Sequence, residues 1–387
     1  MKVLALEPYH GGSHESFLEG WRAHSRHDWT LLTLPPYKWK WRMRHAAVTF
    51  ASEVRRRVSG GESWDLVFCS DMLNLAEFRG LASALVTRVP SVLYFHENQI
   101  NYPVQVEKER DFQFGLTNII SAIAADRVWF NSEFHRDSFL ESIPPFLNKM
   151  PDYRPLEAVE IIRSRSEVCQ PGVSCAPVRR SGRSPGPLRI LWAARWEFDK
   201  DPETFFEALA LLKEAGVPFR ISVLGQKFRE TPPVFERARA EFENQTEAWG
   251  FQSQRADYQR TLMLTDVFVS TAIHEFFGIS AVEATVAGAY PLLPRRLAYP
   301  ELLKLRSAGA MESHYYDGSA PQLAARLRQL AERLEASGEV WGQTREACTE
   351  AARRFCWKPH AAFLDQRLEL CLDDATRLDR VEGAGRL

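Results

Sequence analysis

The sequence predicts an α/β protein of two parallel, doubly wound halves followed by a helical tail. Three observations carry that prediction. Short apolar runs alternate with stretches of helical period from the N-terminus to Ser132, stop across a proline-rich segment between Pro144 and Pro187, and resume at Leu188. The 387 residues exceed what one ordinary core serves and suit two domains of under about 200 residues each. Hydrophobic residues form 45% of the chain and aromatic residues 12%, enough to pack two cores. The expected division is an N-terminal domain over 1–168, a linker over 169–187, a C-terminal domain over 188–355, and a tail over 356–387 that packs back on the N-terminal domain.

Residues 2–6 read as a first strand, an apolar run too short for a signal peptide. No run approaches the roughly 20 apolar residues of a membrane span. The turn that follows contains Gly11-Gly12, and Ser13 is placed to cap a helix over residues 15–24. Such a unit resembles half of a nucleotide-binding fold, although GxGxxG is missing. A Gly-Gly turn instead lets a ligand approach the backbone.

A second strand over 29–34 is closed by Pro35-Pro36. Tyr37-Lys38-Trp39-Lys40-Trp41-Arg42-Met43-Arg44-His45 then alternates cations with aromatic rings. Stacking surfaces interleaved with phosphate-pairing cations suit RNA, especially unpaired bases. The competing reading packs the rings inward and lets the cations reach water. Both stay open on these residues alone. A helix over 46–58 ends at Gly60-Gly61. The strand over 65–69 is followed by Ser70, Asp71 and Asn74, and the strand over 90–95 by His96-Glu97-Asn98-Gln99. Polar side chains just after a buried strand occupy the position that carries chemistry in open α/β sheets. A helix over 111–124, a strand over 127–130 and a helix opened by Asn131-Ser132 complete a five-stranded half.

In the second half, strands are expected over 188–193, 219–224 (ending at Gly225), 267–270 and 289–293. Helices are expected over 202–215, 234–249, 258–264 and from 321 to about 380. After the third of these strands comes His274-Glu275-Phe276-Phe277-Gly278-Ile279-Ser280-Ala281-Val282-Glu283. Here two carboxylates bracket a glycine turn at a strand-to-helix junction, where free helix N–H groups attract phosphate.

The net charge of −1 excludes a general polyanion binder, but the charge is uneven. Between Trp21 and Gly60 nine Lys and Arg face only Asp28 and Glu53, a local excess of seven positive charges. The six cysteines show no CxxC pair and no paired histidine spacing, so reduced, structural thiols in a cytoplasmic protein, and no zinc site, are expected.

Ala194-Arg195-Trp196-Glu197-Phe198-Asp199-Lys200-Asp201-Pro202-Glu203 resembles the Arg…Lys loop of GT-B glycosyltransferases. Glu275 and Glu283, with seven residues between them, resemble the signature of the retaining enzymes of glycosyltransferase family 4. Residues 7–14, 37–44 and 94–99, with Phe130-Asn131-Ser132, resemble the subfamily of tRNA-queuosine α-mannosyltransferases. The likeness covers most of the chain outside residues 179–187 and the last few.

The resemblance implies two Rossmann-like domains facing a central cleft. It implies transfer of mannose, with retention, from GDP-mannose to the cyclopentenediol of queuosine in a tRNA. GDP-mannose is the co-substrate, no other cofactor is implied, and no metal takes part. Charge must then be stabilised on a departing diphosphate beside an oxocarbenium-like sugar. Arg195 suits a two-pronged contact with that diphosphate and Lys200 a point charge. Gly278, Ile279 and Ser280 add backbone N–H groups, and Gly225 and Phe277 are assigned to the same donor site. By resemblance Glu283 binds the ribose and Glu275 the donor sugar. His96 serves the sugar or the acceptor hydroxyl, and Gly11, Gly12 and His14 form a loop closing on the donor. Lys38, Lys40, Arg42 and Arg44, with Asp71, Asn74 and Asn98, are assigned to the acceptor. Two alternatives stand beside this: a family 4 enzyme with a lipid, polysaccharide or small-molecule acceptor, and a non-catalytic RNA-binding protein on the same scaffold. No obligate protein partner is evident.

Overall fold

The computed structural model describes residues 1–104, 111–175, 177, 183–227, 231–303 and 313–384, with side chains described to Asp373. The expected linker therefore falls partly outside the described residues. The chain forms two compact units, Met1–Gly172 together with Trp357–Leu387, and Val173–Cys356. Among the described residues each unit holds one six-stranded, wholly parallel sheet. None of the described helices is long and apolar enough to cross a membrane.

The first unit runs β1 (Lys2–Glu7), α1 (Gly12–His24), β2 (Asp28–Thr33), α2 (Trp39–Ser59), β3 (Leu66–Ser70), α3 (Leu75–Leu81), α4 (Ala84–Thr87) and β4 (Ser91–Phe95). It continues with α5 (Phe112–Ala124), β5 (Arg127–Phe130), α6 (Glu133–Leu147), α7 (Ala158–Arg165) and β6 (Ser166–Val168). The sheet order is β2-β1-β3-β4-β5-β6. Alternate residues of β1 serve opposite faces. Val3 and Ala5 pack with Phe17 and Trp21, while Leu4 and Leu6 pack with Ala47, Phe50 and Val54.

The second unit runs β7 (Leu188–Ala193), α8 (Pro202–Glu214), β8 (Phe219–Leu224), α9 (Val234–Glu241), β9 (Thr246–Gly250), α10 (Arg255–Leu264) and β10 (Val267–Val269). There follow α11 (Ile279–Ala287), β11 (Tyr290–Pro294), α12 (Tyr299–Leu303), β12 (Tyr315–Tyr316), α13 (Ala320–Ser337) and α14 (Arg345–Arg353). The sheet order is β12-β11-β10-β7-β8-β9. The last helix, α15 (Trp357–Ala384), belongs to the first unit. Its Trp357, Ala361 and Leu364 join the cluster of Phe17 and Trp21, and Asp365 accepts hydrogen bonds from Trp21 Nε1, Ser25 Oγ and the Arg26 N–H.

Several local expectations are corrected. Helix α1 begins at Gly12 with Gly11 at its cap, and no side chain, Ser13 included, caps it. Helix α2 begins at Trp39 rather than at residue 46, because Trp39 and Met43, one turn apart, pack with Phe114 and Met72. The helix expected over 234–249 ends at Glu241, and Thr246–Gly250 pairs with β8 as an edge strand. Strands β6 and β12 were not expected; both are short edge strands. Finally, Cys175 and Cys356 form a disulfide across 181 residues, so not all thiols are reduced. Cys69, Cys169, Cys348 and Cys371 are buried thiols.

Candidate active site at the sheet switch points

In an open parallel sheet, ligands bind beyond the carboxyl ends of the strands where the order reverses. In the second unit that point lies between β7 and β10. Beyond β7 the chain carries Arg195 and then a short turn of 3₁₀ helix, Phe198–Lys200. Arg195 is partly exposed and pairs with Glu197 at 3.2 Å. Lys200 is only 6% exposed. Its Nζ donates to the His274 carbonyl at 2.7 Å and lies 3.1 Å from Asp199 and 3.5 Å from Glu275. One cation thus ties the loop after β7 to the loop after β10. Burial, helped by the charge of Lys200, lowers the His274 pKa to about 4, so this ring is neutral.

The loop after β10 turns into α11 through Gly278, whose φ of +104° is strained for other residues and whose added Cβ would sit 3.0 Å from the Tyr299 ring. Ile279 and Ser280 open the helix, so their N–H groups have no acceptor within it. The Phe277 side chain packs edge-on against Phe355 in the core, leaving only its backbone for a ligand, and its N–H donates to Glu275 at 3.4 Å. Gly225 is needed for space: a Cβ there would lie 1.8 Å from the Ala194 carbonyl.

Glu283 is buried and accepts from the Tyr258 hydroxyl at 2.8 Å and from Arg255 at 3.2 Å, both on α10. Burial raises its pKa against these two hydrogen bonds. The sequence reading missed Tyr258 and Arg255 as partners, since they lie 25 and 28 residues away.

In the first unit the reversal lies between β1 and β3. Gly11 and Gly12 open α1 here, and His14 in its first turn bonds Glu7, the last residue of β1. Gly11 has no room for a side chain, because a Cβ would lie 2.4 Å from Pro36. His96 follows β4, and its N–H donates to Asp71, which follows β3. Asn74 and Asn98, expected as acceptor contacts, are both engaged within the fold. Asn74 caps α3 through the Glu77 N–H, while Asn98 is fully buried and binds the Ile100 and Asn101 N–H groups and His135. Asp71 is also fully buried.

The cation–aromatic stretch divides. Trp39 turns inward against Phe114, whereas Tyr37 and Trp41 are 64% and 61% exposed. Lys38, Lys40 and Arg44 are exposed, lying over the rings of Tyr37, Trp39 and Phe114 respectively, and Arg42 bonds the Pro35 carbonyl and His45. Exposed rings and an inward-turned ring thus both occur in the stretch.

A tRNA-queuosine α-mannosyltransferase of Drosophila melanogaster is 36% identical over 311 residues, covering 78% of this chain and 81% of its own length. The chain belongs to the tRNA-queuosine α-mannosyltransferase family. Residues 2–173 match the N-terminal domain of tRNA-queuosine α-mannosyltransferases, and residues 178–355 match the domain of group 1 glycosyl transferases. A GDP-mannose:cellobiosyl-diphosphopolyprenol α-mannosyltransferase of Xanthomonas oryzae is 30% identical over 178 residues, 45% of this chain and 41% of that one. The sucrose-phosphate synthase of Thermosynechococcus elongatus superposes with a TM-score of 0.68 at 14% identity, covering 97% of this chain and all of the other. A UDP complex of HepE from Anabaena gives 0.65 at 14% identity, with the same coverage. These structures share the GT-B fold, and the chain is a glycosyltransferase.

The first unit carries a pH-sensitive pair, Glu7 and His14. Burial lowers the pKa of His14, but the charge of Glu7 and the hydrogen bond to it prevail and raise it from 6.5 to about 9. Its stabilising contribution is therefore complete below pH 6.5 and is lost as pH rises through about 9. Burial raises Asp71 to about 8, which weakens the fold in the same direction. A loss of about 3 kcal/mol between pH 6.5 and 9 follows from the His14 shift. Thermal melts should show the first unit's transition falling across this range; a flat or rising melting temperature would contradict the assignment.

Proposed function

We propose that this chain transfers mannose from GDP-mannose to the cyclopentenediol of queuosine in tRNA, in the cytoplasm and with retention. The observation that carries the reading is the 36% identity to the Drosophila enzyme, which runs across both halves of the chain. The geometry supports it. Lys200 and Arg195 supply positive charge at the switch point of the second sheet, and the start of α11 adds N–H groups. Together they neutralise the leaving diphosphate without calling on a metal. Glu275, held by Lys200, contacts the donor sugar, and Glu283, oriented by Tyr258 and Arg255, takes the ribose hydroxyls. His96 addresses the sugar or the attacking hydroxyl.

The direct test is mass spectrometry of nucleosides from queuosine-containing tRNA incubated with the protein and GDP-mannose. A hexose adduct on queuosine is expected; its absence, with UDP-sugars or lipid acceptors active instead, overturns the reading.

The acceptor surface is tested separately. Lys38, Lys40, Arg42 and Arg44 flank the exposed Tyr37 and Trp41. Replacing the four cations by glutamate should weaken tRNA binding by at least about 10²-fold at low salt and flatten the slope of log affinity against log salt by up to about 3. Gel shifts across a salt series read both. Unchanged tRNA affinity, with binding to anionic vesicles lost, points to a lipid acceptor.

A further inference from the structure

The residues assigned so far leave Glu7 without a role. It is the last residue of β1 and fully buried, with one carboxylate oxygen accepting the Tyr9 N–H at 2.8 Å and the other 3.1 Å from His14 Nδ1. The His14 ring lies against the His96 ring, with centroids 4.0 Å apart and planes 32° apart. His96 is held on other sides too. Its N–H donates to Asp71 at 2.9 Å, its carbonyl accepts from Asn131 at 2.8 Å, and Phe17 and Tyr94 pack on the ring at 5.1 and 4.7 Å. Yet His96 Nε2 is buried with no hydrogen-bond partner, as is the second Asp71 oxygen. A buried polar atom left unsatisfied in a ring so firmly held marks the place of a ligand group.

We propose that Glu7 and His14 are positioning residues for the transfer reaction: their buried ion pair clamps one face of His96 and aims its ring nitrogen at a hydroxyl of the sugar or the acceptor. The proposal rests on the mannosyltransferase reading and adds to it a pair from the first sheet. Among the described residues, the charged and titratable groups around the two rings include Glu7 on β1, Tyr94 on β4, Tyr9 after β1, His14 on α1, Asp71 after β3, Glu97 after β4 and His135 on α6. Burial, then the charges of His14 and His135, push the His96 pKa well below 6.5. Burial and the charge on His14 thus both disfavour a proton on His96, while His14 carries one. Without the carboxylate of Glu7 the two largest influences that raise His14 are gone, and only the charges of Asp71 and Glu97 oppose burial, so its pKa falls.

The test uses the full chain and Glu7→Gln. At pH 8, kcat for mannosylation should fall about 100-fold, with KM for GDP-mannose changed less than about threefold, as expected for a misplaced group. Glu7→Asp should restore part of kcat. Histidine ¹⁵N NMR should show His14 of the wild type protonated up to pH about 9, and titrating at clearly lower pH in Glu7→Gln.

An unchanged kcat, or a His14 titration that does not move, overturns the proposal. So does a kcat loss matched by a collapse in melting temperature, with no rescue by Glu7→Asp. Glu7, His14 and His96 also offer ligand atoms within 4.8 Å of one another. Stoichiometric zinc in the wild type, lost in Glu7→Gln, would replace the ion pair by a metal centre and overturn it too. Failure of the wild type to modify tRNA would sink the functional reading instead, while the NMR titration would still decide on the clamp.

Discussion

Lys200→Ala should reduce mannosyl transfer by about 10²- to 10³-fold, the range seen when one preorganised charge-stabilising donor is removed. The loss should fall mainly on kcat, because charge on the diphosphate grows as the sugar leaves. Burial sets the size of the effect. An exposed lysine in water contributes little, whereas Lys200 sits between Asp199, Glu275 and the His274 carbonyl at the head of the second sheet. The alanine variant also leaves those two carboxylates without their cation, so a lower melting temperature is expected alongside. Lys200→Arg separates the two effects, since it keeps the charge and changes its shape. Radiolabelled mannose transfer with matched thermal melts gives both readings. Transfer within threefold of wild type in a folded Lys200→Ala protein would remove the donor site from this position.

The second large effect is on stability. Asp365→Ala should weaken the first unit by roughly 3–5 kcal/mol. The Asp365 carboxylate is buried and accepts at 2.8 Å from the Trp21 indole, at 2.7 Å from Ser25 and at 2.8 Å from the Arg26 N–H. Its removal leaves three donors unsatisfied at once. A fall in melting temperature of about 10 °C is the corresponding expectation for a unit of this size. Asp365→Asn, which keeps one acceptor oxygen, should lose less. A shift under 2 °C for the alanine variant would mean that water replaces the carboxylate fully.

How much of this was legible in the sequence depended on where each signal was stored. The central strands announced themselves, because burial on both faces makes a continuous apolar run such as Leu66–Ser70 or Ser91–Phe95. Strands β6, β9 and β12 did not: each is an edge strand formed by its neighbour as much as by its own residues. The start of α2 was hidden because cations and rings alternate there with no helical period, and contacts with Phe114 and Met72 decide the conformation. In the site, Arg195, Lys200, Glu275 and Glu283 could be located by motif. Their partners could not: Lys200 with His274, and Glu283 with Arg255 and Tyr258, are juxtapositions made by the sheet. Glu7 read as an ordinary strand end, and the 181-residue span of the disulfide left no local spacing to notice.

The membership of α15 in the first unit bears on how the protein is made. A ribosome releases β1 to β6 first, then all of Val173–Cys356, and only then Trp357 and the residues after it. The unit that begins the chain is thus the last to be finished. Until Trp357, Ala361 and Leu364 emerge, the apolar patch of Phe17 and Trp21 lacks part of its cover and is a surface for chaperones to guard. The unit in the middle, by contrast, is one continuous segment and can close during synthesis, while its predecessor waits for the final helix.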